Sequence, residues 1–202
     1  VLANTIQNSG KSTYLRFFIP RKLMNYLSED IGLDKDSRIK LCKNLIINLD
    51  ELSILAKADI NSLKAFISKT HINERLPYAR KAEYLERICS FVGSTNKTDF
   101  LTDESGSVRW IIFEVTEKIN FNYSMEINID KVWSQAYFNA YKRKGFNPEL
   151  TLADISENEK RNERFTQMTL EQEMVNKFFE PSDNLEEFKT ATEVMMDLST
   201  QG

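Results

Sequence analysis

The chain has 202 residues, 41% hydrophobic and 28% charged, with 6 Gly and 4 Pro, which suits one ordinary domain with a small appendage, or two compact lobes, and leaves little room for low-complexity disorder. No apolar run approaches the roughly 20 residues that cross a bilayer, and no basic stretch followed by a long apolar one marks a secretory leader, so no membrane partner is expected. The net charge of -3 does not by itself point to nucleic acid, although a local basic segment can meet phosphates even in an acidic chain.

Val1 to Thr5 reads as the end of a strand. With no initiator Met before a motif that starts at Thr5, the chain reads as a piece of a longer protein. A polar loop then leads into a helix from about Lys11. The loop, Thr5-Ile6-Gln7-Asn8-Ser9-Gly10-Lys11-Ser12-Thr13, matches GxxxxGK followed by Ser or Thr everywhere except the first position, where Thr5 replaces Gly. The spacing suits a triphosphate. Backbone N–H groups of a tight loop turn inward on the β-phosphate, and Gly10 lets the backbone come close. Lys11 bridges the β- and γ-phosphates, and the Ser12 hydroxyl ligates Mg²⁺. Asn8, Ser9, Gly10, Lys11, Ser12 and Thr13 are therefore the expected nucleotide-binding residues, with ATP and Mg²⁺ as ligands. The competing reading is a chance GKST at a helix start.

Met24 to Ile31 is a strand or a helix end. Asp36 to Lys43 reads as a helix with Asp34 or Asp36 as its N-cap. Cys42 and, further on, Cys89 form no CxxC pair, and the single histidine, His71, completes no zinc set. Both read as reduced thiols of a cytosolic protein. Leu45 to Leu49 is a continuous apolar run with one Asn, as in a buried parallel strand, and it ends in Asp50-Glu51,. In a phosphate-loop sheet this strand is expected beside the first, with Asp50 holding Mg²⁺ and Glu51 acting as the general base on the attacking water. The alternative makes Asp50 a plain helix cap.

Asp59 to Ser68 has helical spacing at Ile60, Leu63, Phe66 and Ile67, with Asp59 as cap. His71 to Arg87 is polar, contains Pro77 and reads as a loop or hairpin. Between Lys64 and Arg87 six basic residues stand against three acidic ones. Lys69, Arg75, Arg80 and Lys81, with Tyr78 and Tyr84 interleaved, are the expected DNA-binding residues, for single-stranded DNA above all; a solvated loop of mixed charge is the alternative. Ile88 to Ser94 is another buried strand, and at its tip a neutral Asn96 can orient the lytic water beside a γ-phosphate, the role called sensor 1; an asparagine in an ordinary turn is the alternative. After a loop from Thr95 to Val108, Arg109 precedes a strand over Trp110 to Val115. Its planar fork suits transition-state charge in a neighbouring subunit; Arg80 competes for that role, and a surface arginine is the plain alternative.

Lys131 to Lys144 reads as an amphipathic helix stopped by Gly145. Alternating strands and helices imply an α/β layered core with a mostly parallel sheet. After about Asn147 the character changes. Asn158 to Phe179 reads as one highly charged helix, Pro181-Ser182-Asp183-Asn184 breaks it, and Thr190 to Leu198 starts another, capped at Thr190 or Thr192. The expected organisation is an NTPase domain over residues 1–147 and an acidic helical tail over 148–202.

The order GKST, LDEL, PYAR, FVGSTN, then an Arg-led strand, resembles the virulence-associated protein E family over about residues 1–145. The pieces that carry it are Gln7-Asn8-Ser9-Gly10-Lys11-Ser12-Thr13, Asn48-Leu49-Asp50-Glu51-Leu52, Leu63-Lys64-Ala65-Phe66-Ile67-Ser68, Pro77-Tyr78-Ala79-Arg80 and Phe91-Val92-Gly93-Ser94-Thr95-Asn96. The resemblance implies a three-layer P-loop NTPase core of the ASCE/AAA+ kind, similar to superfamily III helicases. Those helicases act on DNA and assemble as homo-oligomeric rings, and members of the virulence-associated protein E family occur in phages, genomic islands and conjugative elements of bacteria, often beside a primase domain. It further implies a bacterial cytoplasmic protein, a hairpin before the sensor strand that contacts DNA (Lys69 to Arg87 here), and an arginine after it that acts in trans (Arg109). The sequence departs from the family at Thr5, where Gly or a small residue is usual, and at Ala79, which takes the Gly place of Pro-Tyr-Gly-Arg. The acidic tail would be a helical or winged-helix appendage. The expected function is an ATP-dependent DNA motor with helicase activity; a nucleotide-dependent DNA-binding or regulatory module with little turnover, or a small-molecule kinase, are the alternatives.

Overall fold

The computed structural model describes residues 1–29, 32, 34–52, 63–101, 108–184 and 187–201. The chain divides into two compact units, Val1–Thr166 and Gln167–Gly202.

The first unit is built on a five-stranded sheet. Its strands are β1 (Leu2–Ala3), β2 (Leu27–Glu29), β3 (Ile46–Leu49), β6 (Ser90–Thr95) and β7 (Phe113–Glu114), in the order β2-β3-β6-β1-β7. Every pairing in it is parallel. All four residues of β3 are buried, as befits a parallel strand covered on both faces. Two helices flank these strands in sequence, α1 (Lys11–Phe17) and α2 (Lys35–Lys43). Asp34 caps α2 by accepting from the Ser37 amide at 2.7 Å, which decides between the two candidate caps. A 3₁₀ helix, Arg21–Tyr26, leads into β2, so the ambiguous segment begins as a helix end and continues as a strand over Leu27–Glu29; Asp30 and Ile31 lie outside the described residues. Residues 63–67 are helical; the expected cap Asp59 lies outside the described residues.

The acidic strand does not lie beside the first strand. β6 stands between them, pairing Leu2 with Ser94 and Ala3 with Thr95 on one side, and Leu49 with Gly93 on the other. A parallel sheet permits any order its crossovers can reach, and chain order alone does not select one. β6 fits the central slot through its small residues. A Cβ on Gly93 would meet the Leu49 carbonyl oxygen and Leu52 Cδ1, each at 2.9 Å.

β7 is also shorter than the expected Trp110–Val115. The Trp110 carbonyl accepts from the Asn158 and Asn162 side-chain amides at 2.8 and 2.7 Å, so it is spent outside the sheet. Those asparagines are buried on a helix, Leu152–Asn162, that opens with a Thr151–Asp154 capping box,. The expected single helix from Asn158 to Phe179 breaks after Asn162. A 3₁₀ turn, Glu163–Phe165, follows and puts the Phe165 ring in the core near Phe100, while the Phe165 carbonyl accepts from the Leu101 amide at 3.0 Å. The segment that composition groups with the tail thus packs in the first unit.

Residues between β3 and β6 add the antiparallel hairpin β4 (His71–Glu74) and β5 (Glu83–Glu86). Downstream of β7 lie α3 (Tyr123–Glu126) and α4 (Ile129–Tyr141), the latter capped by Asn128, which accepts from the Lys131 amide at 3.1 Å. Gly145, at φ 77°, follows it in the left-handed region,. Numbering the helix Leu152–Asn162 as α5, the second unit holds α6 (Leu170–Phe178) and α7 (Ala191–Gln201). Thr169 and Gln172 form a capping box for α6. Thr190 caps α7, its N–H donating to the Glu193 carboxylate at 2.7 Å. Among the described residues, no helix is long and apolar enough to cross a membrane.

Candidate nucleotide site

The loop between β1 and α1 owes its shape to two left-handed residues, Asn8 (φ 56°) and Gly10 (φ 90°). Asn is among the few non-Gly residues that tolerate this conformation. Thr5 is not among the described residues with positive φ, so replacing Gly there carries no backbone penalty. Asn4, buried at the end of β1, accepts from the Ile6 amide and donates to the Val115 carbonyl, fixing the start of the loop against β7.

Lys11 points back under this loop. Its Nζ donates to Asn96 Oδ1 at 2.9 Å, to Ser9 Oγ at 3.0 Å, and to the Asn4 and Ile6 carbonyls at 3.4 Å each. Burial pulls its pKa below the usual lysine value, and the charge of Asp50 opposes that shift. Asp50 ends β3. Its Oδ1 accepts from Ser12 Oγ at 2.7 Å, from Ser94 Oγ, and from the Glu51 amide at 3.2 Å. Burial pushes the Asp50 carboxyl up, but these three hydrogen bonds and the Arg16 guanidinium outweigh it and leave it below the usual carboxylate range,. Glu51 is left-handed (φ 52°). That turn lets two adjacent residues, which would face opposite ways along a strand, line one cavity.

The cavity has a volume of about 390 Å³ and is lined by Asn8, Ser9, Gly10, Lys11, Ser12, Thr13, Asp50, Glu51, Ser94, Asn96 and Phe121. All six expected loop residues, both acidic residues and Asn96 therefore meet at one place, the C-terminal edge of a parallel sheet, where open α/β sheets hold ligands. The set fits a triphosphate with its metal: an ammonium and loop amides for anionic oxygens, and a hydroxyl and a carboxylate as hard oxygen donors for Mg²⁺, which keeps several waters and needs few protein ligands. Among the described residues no cluster of three or more His, Cys, Asp or Glu forms a metal cage of its own.

Two lining residues went unanticipated. Ser94 lies on β6 two positions before Asn96, which follows the strand directly, so the period of two brings both to one face,. Phe121 lies in an aperiodic segment where nothing local marks it.

Arg109 does not line this cavity. It is exposed, and its Nε donates to Ser68 Oγ at 2.8 Å. The expected DNA-binding residues gather on the hairpin and its flank. Lys69, Arg75, Arg80 and Lys81 are exposed. The turn is closed by the Ala79 amide donating to the Leu76 carbonyl at 3.0 Å, and its left-handed residue is Tyr78 (φ 67°) rather than Ala79. Missing glycine at 79 therefore leaves the turn intact. Tyr78 projects fully into solvent, and Tyr84 stacks on His71 with centroids 4.8 Å apart. Two charged residues anchor the hairpin instead. Glu74 pairs with Arg38 at 2.6 Å, and Arg87 donates to the Cys89 carbonyl at 3.0 Å and to the Ile67 and Lys69 carbonyls.

No curated protein matches the chain. Among solved structures, three apo structures of the NrS-1 C-terminal region are similar. One has 15% identity and a TM-score of 0.45, covering 100% of this chain and 42% of that one. A second has 15% identity and a TM-score of 0.42, covering 98% and 41%. The third has 18% identity and a TM-score of 0.40, covering 81% and 33%. The chain thus spans well under half the length of these proteins. The model of the virulence-associated protein E-like domain matches residues 1–171, and with most of its length inside that match the chain belongs to the virulence-associated protein E-like family.

Proposed function

We propose that this chain is the NTP-hydrolysing core of a DNA-acting, helicase-like motor that serves replication of a phage or bacterial mobile element. The observation that carries the reading is the Lys11–Asn96 contact, made across 85 positions of sequence, in a cavity that also gathers Ser12, Asp50 and Glu51. Loop amides and Lys11 hold the β- and γ-phosphates of ATP. Ser12 and Asp50 hold Mg²⁺, which when bound neutralises charge on the phosphate oxygens. Glu51 accepts the proton of the attacking water, and Asn96 orients that water as a neutral hydrogen-bonding partner. Arg109, outside its own chain's cavity, serves the neighbouring subunit of a ring, and Arg75, Arg80 and Lys81 on the exposed hairpin, with Lys69 at its base, meet single-stranded DNA.

The test is phosphate release with and without single-stranded DNA. Stimulated release by the wild type, abolished in Lys11→Ala, supports the motor. ATP binding without stimulated release favours a nucleotide-dependent DNA-binding module, and stimulation by a metabolite instead of DNA favours a kinase.

A further inference from the structure

The chain beyond β7 returns to the nucleotide loop. The Ile119 amide donates to the Ser9 carbonyl at 2.9 Å. Two residues on, the Phe121 ring passes so close to Gly10 that a Cβ there would meet its Cζ at 3.0 Å. Phe121 is nevertheless 54% exposed and forms part of the wall of the cavity that holds Lys11 and Asn96. The ring is backed by its neighbours: Tyr123 lies 6.1 Å away between centroids, and Tyr123 packs at 4.9 Å against both Tyr14 and Phe17 of α1. The helix that carries Lys11 therefore also carries the support for Phe121.

The π-face of an aromatic ring is negative and disfavours a phosphate. The rest of the cavity wall is polar. The planar, apolar part of a nucleotide is what such a ring can hold. We propose that Phe121 is the platform on which the nucleotide base stacks. This deepens the nucleotide reading above and rests on it. A platform reads a π-face, which every base has, so adenine and guanine nucleotides are both accepted.

The 202-residue chain is titrated calorimetrically with ATP, GTP and inorganic tripolyphosphate in the presence of Mg²⁺. Wild type binds ATP and GTP within a few-fold of each other, and tripolyphosphate about 10-fold more weakly. Phe121→Ala lowers ATP affinity to that of tripolyphosphate and leaves tripolyphosphate unchanged, while Phe121→Tyr preserves ATP binding. Equal loss for ATP and tripolyphosphate in Phe121→Ala makes the ring a mere prop for the loop and overturns the proposal, as does equal wild-type affinity for the two ligands. Preference for one purine by more than about 10-fold overturns the face-only part. Lys11→Ala separates the two layers: it weakens every ligand if the phosphate site is right, and if it weakens none, the underlying nucleotide reading fails. Should Phe121→Ala not fold, Phe121→Trp reads the same contact. Its added fluorescence, over the wild-type background of Trp110 and Trp133, is quenched by ATP and not by tripolyphosphate; quenching by neither overturns the platform.

Discussion

Asp50 concentrates the chemistry of the site in one carboxylate, which accepts from two hydroxyls and a backbone amide. Its pKa lies below the usual carboxylate range in the folded chain. The ionised form is thus favoured by folding, and its stabilisation is present above the unfolded value of about 3.9 and lost as pH falls through the lower folded value. In urea denaturation from pH 6 down to pH 2, wild type is expected to lose stability below about pH 4 that Asp50→Asn does not lose. Parallel curves for the two proteins would show that the bonds to Ser12 and Ser94 do not favour the charged carboxylate. At this scale the sequence marked by residue type and spacing the residues that meet in the cavity, Lys11, Ser12, Asp50 and Asn96. It was less readable where conformation decides. Thr5 and Ala79 stand out as departures from a motif, yet the left-handed burden falls on Asn8, Gly10 and Tyr78. Phe121 acquires its place only through the return of the chain to Gly10.

The elements repeat this division. β3 announced itself by continuous apolar character, and α2 by its cap. The position of β6 between β1 and β3 had no local signal, since strand order is settled by packing among segments far apart in sequence. The break after Asn162 was hidden for a related reason: the helical pattern continues, but burying Phe165 and satisfying the Trp110 carbonyl matter more than one further turn. A carbonyl has two lone pairs, and here two amides take them. Asn158→Ala and Asn162→Ala each leave the carbonyl one partner and are expected to cost about 1 kcal/mol. The double variant leaves it none and is expected to cost more than the sum, by about 1–3 kcal/mol for a buried unsatisfied group. Strict additivity in chemical denaturation would mean the carbonyl finds water once both amides are gone.

For the whole molecule, the sharpest expectation concerns Arg109, which is exposed beside Ser68 and away from its own cavity. If copies of the chain assemble in a ring, Arg109→Ala binds ATP normally and does not hydrolyse it. Mixing it with a catalytically dead Lys11→Ala partner then restores part of the rate, because each contributes what the other lacks. Phosphate release in mixtures, followed alongside native mass, reads this directly, and full activity of Arg109→Ala alone refutes the assignment. The placement of β6 has a mechanical corollary. Its six residues extend over about 20 Å,; just before its first residue lies the hairpin that carries Tyr78 and Arg80, and just past its last is the amide that touches Lys11. Arg87 rivets the joint between hairpin and strand to the Ile67 and Lys69 carbonyls. The hairpin and the lysine pocket are therefore the two ends of one stiff rod.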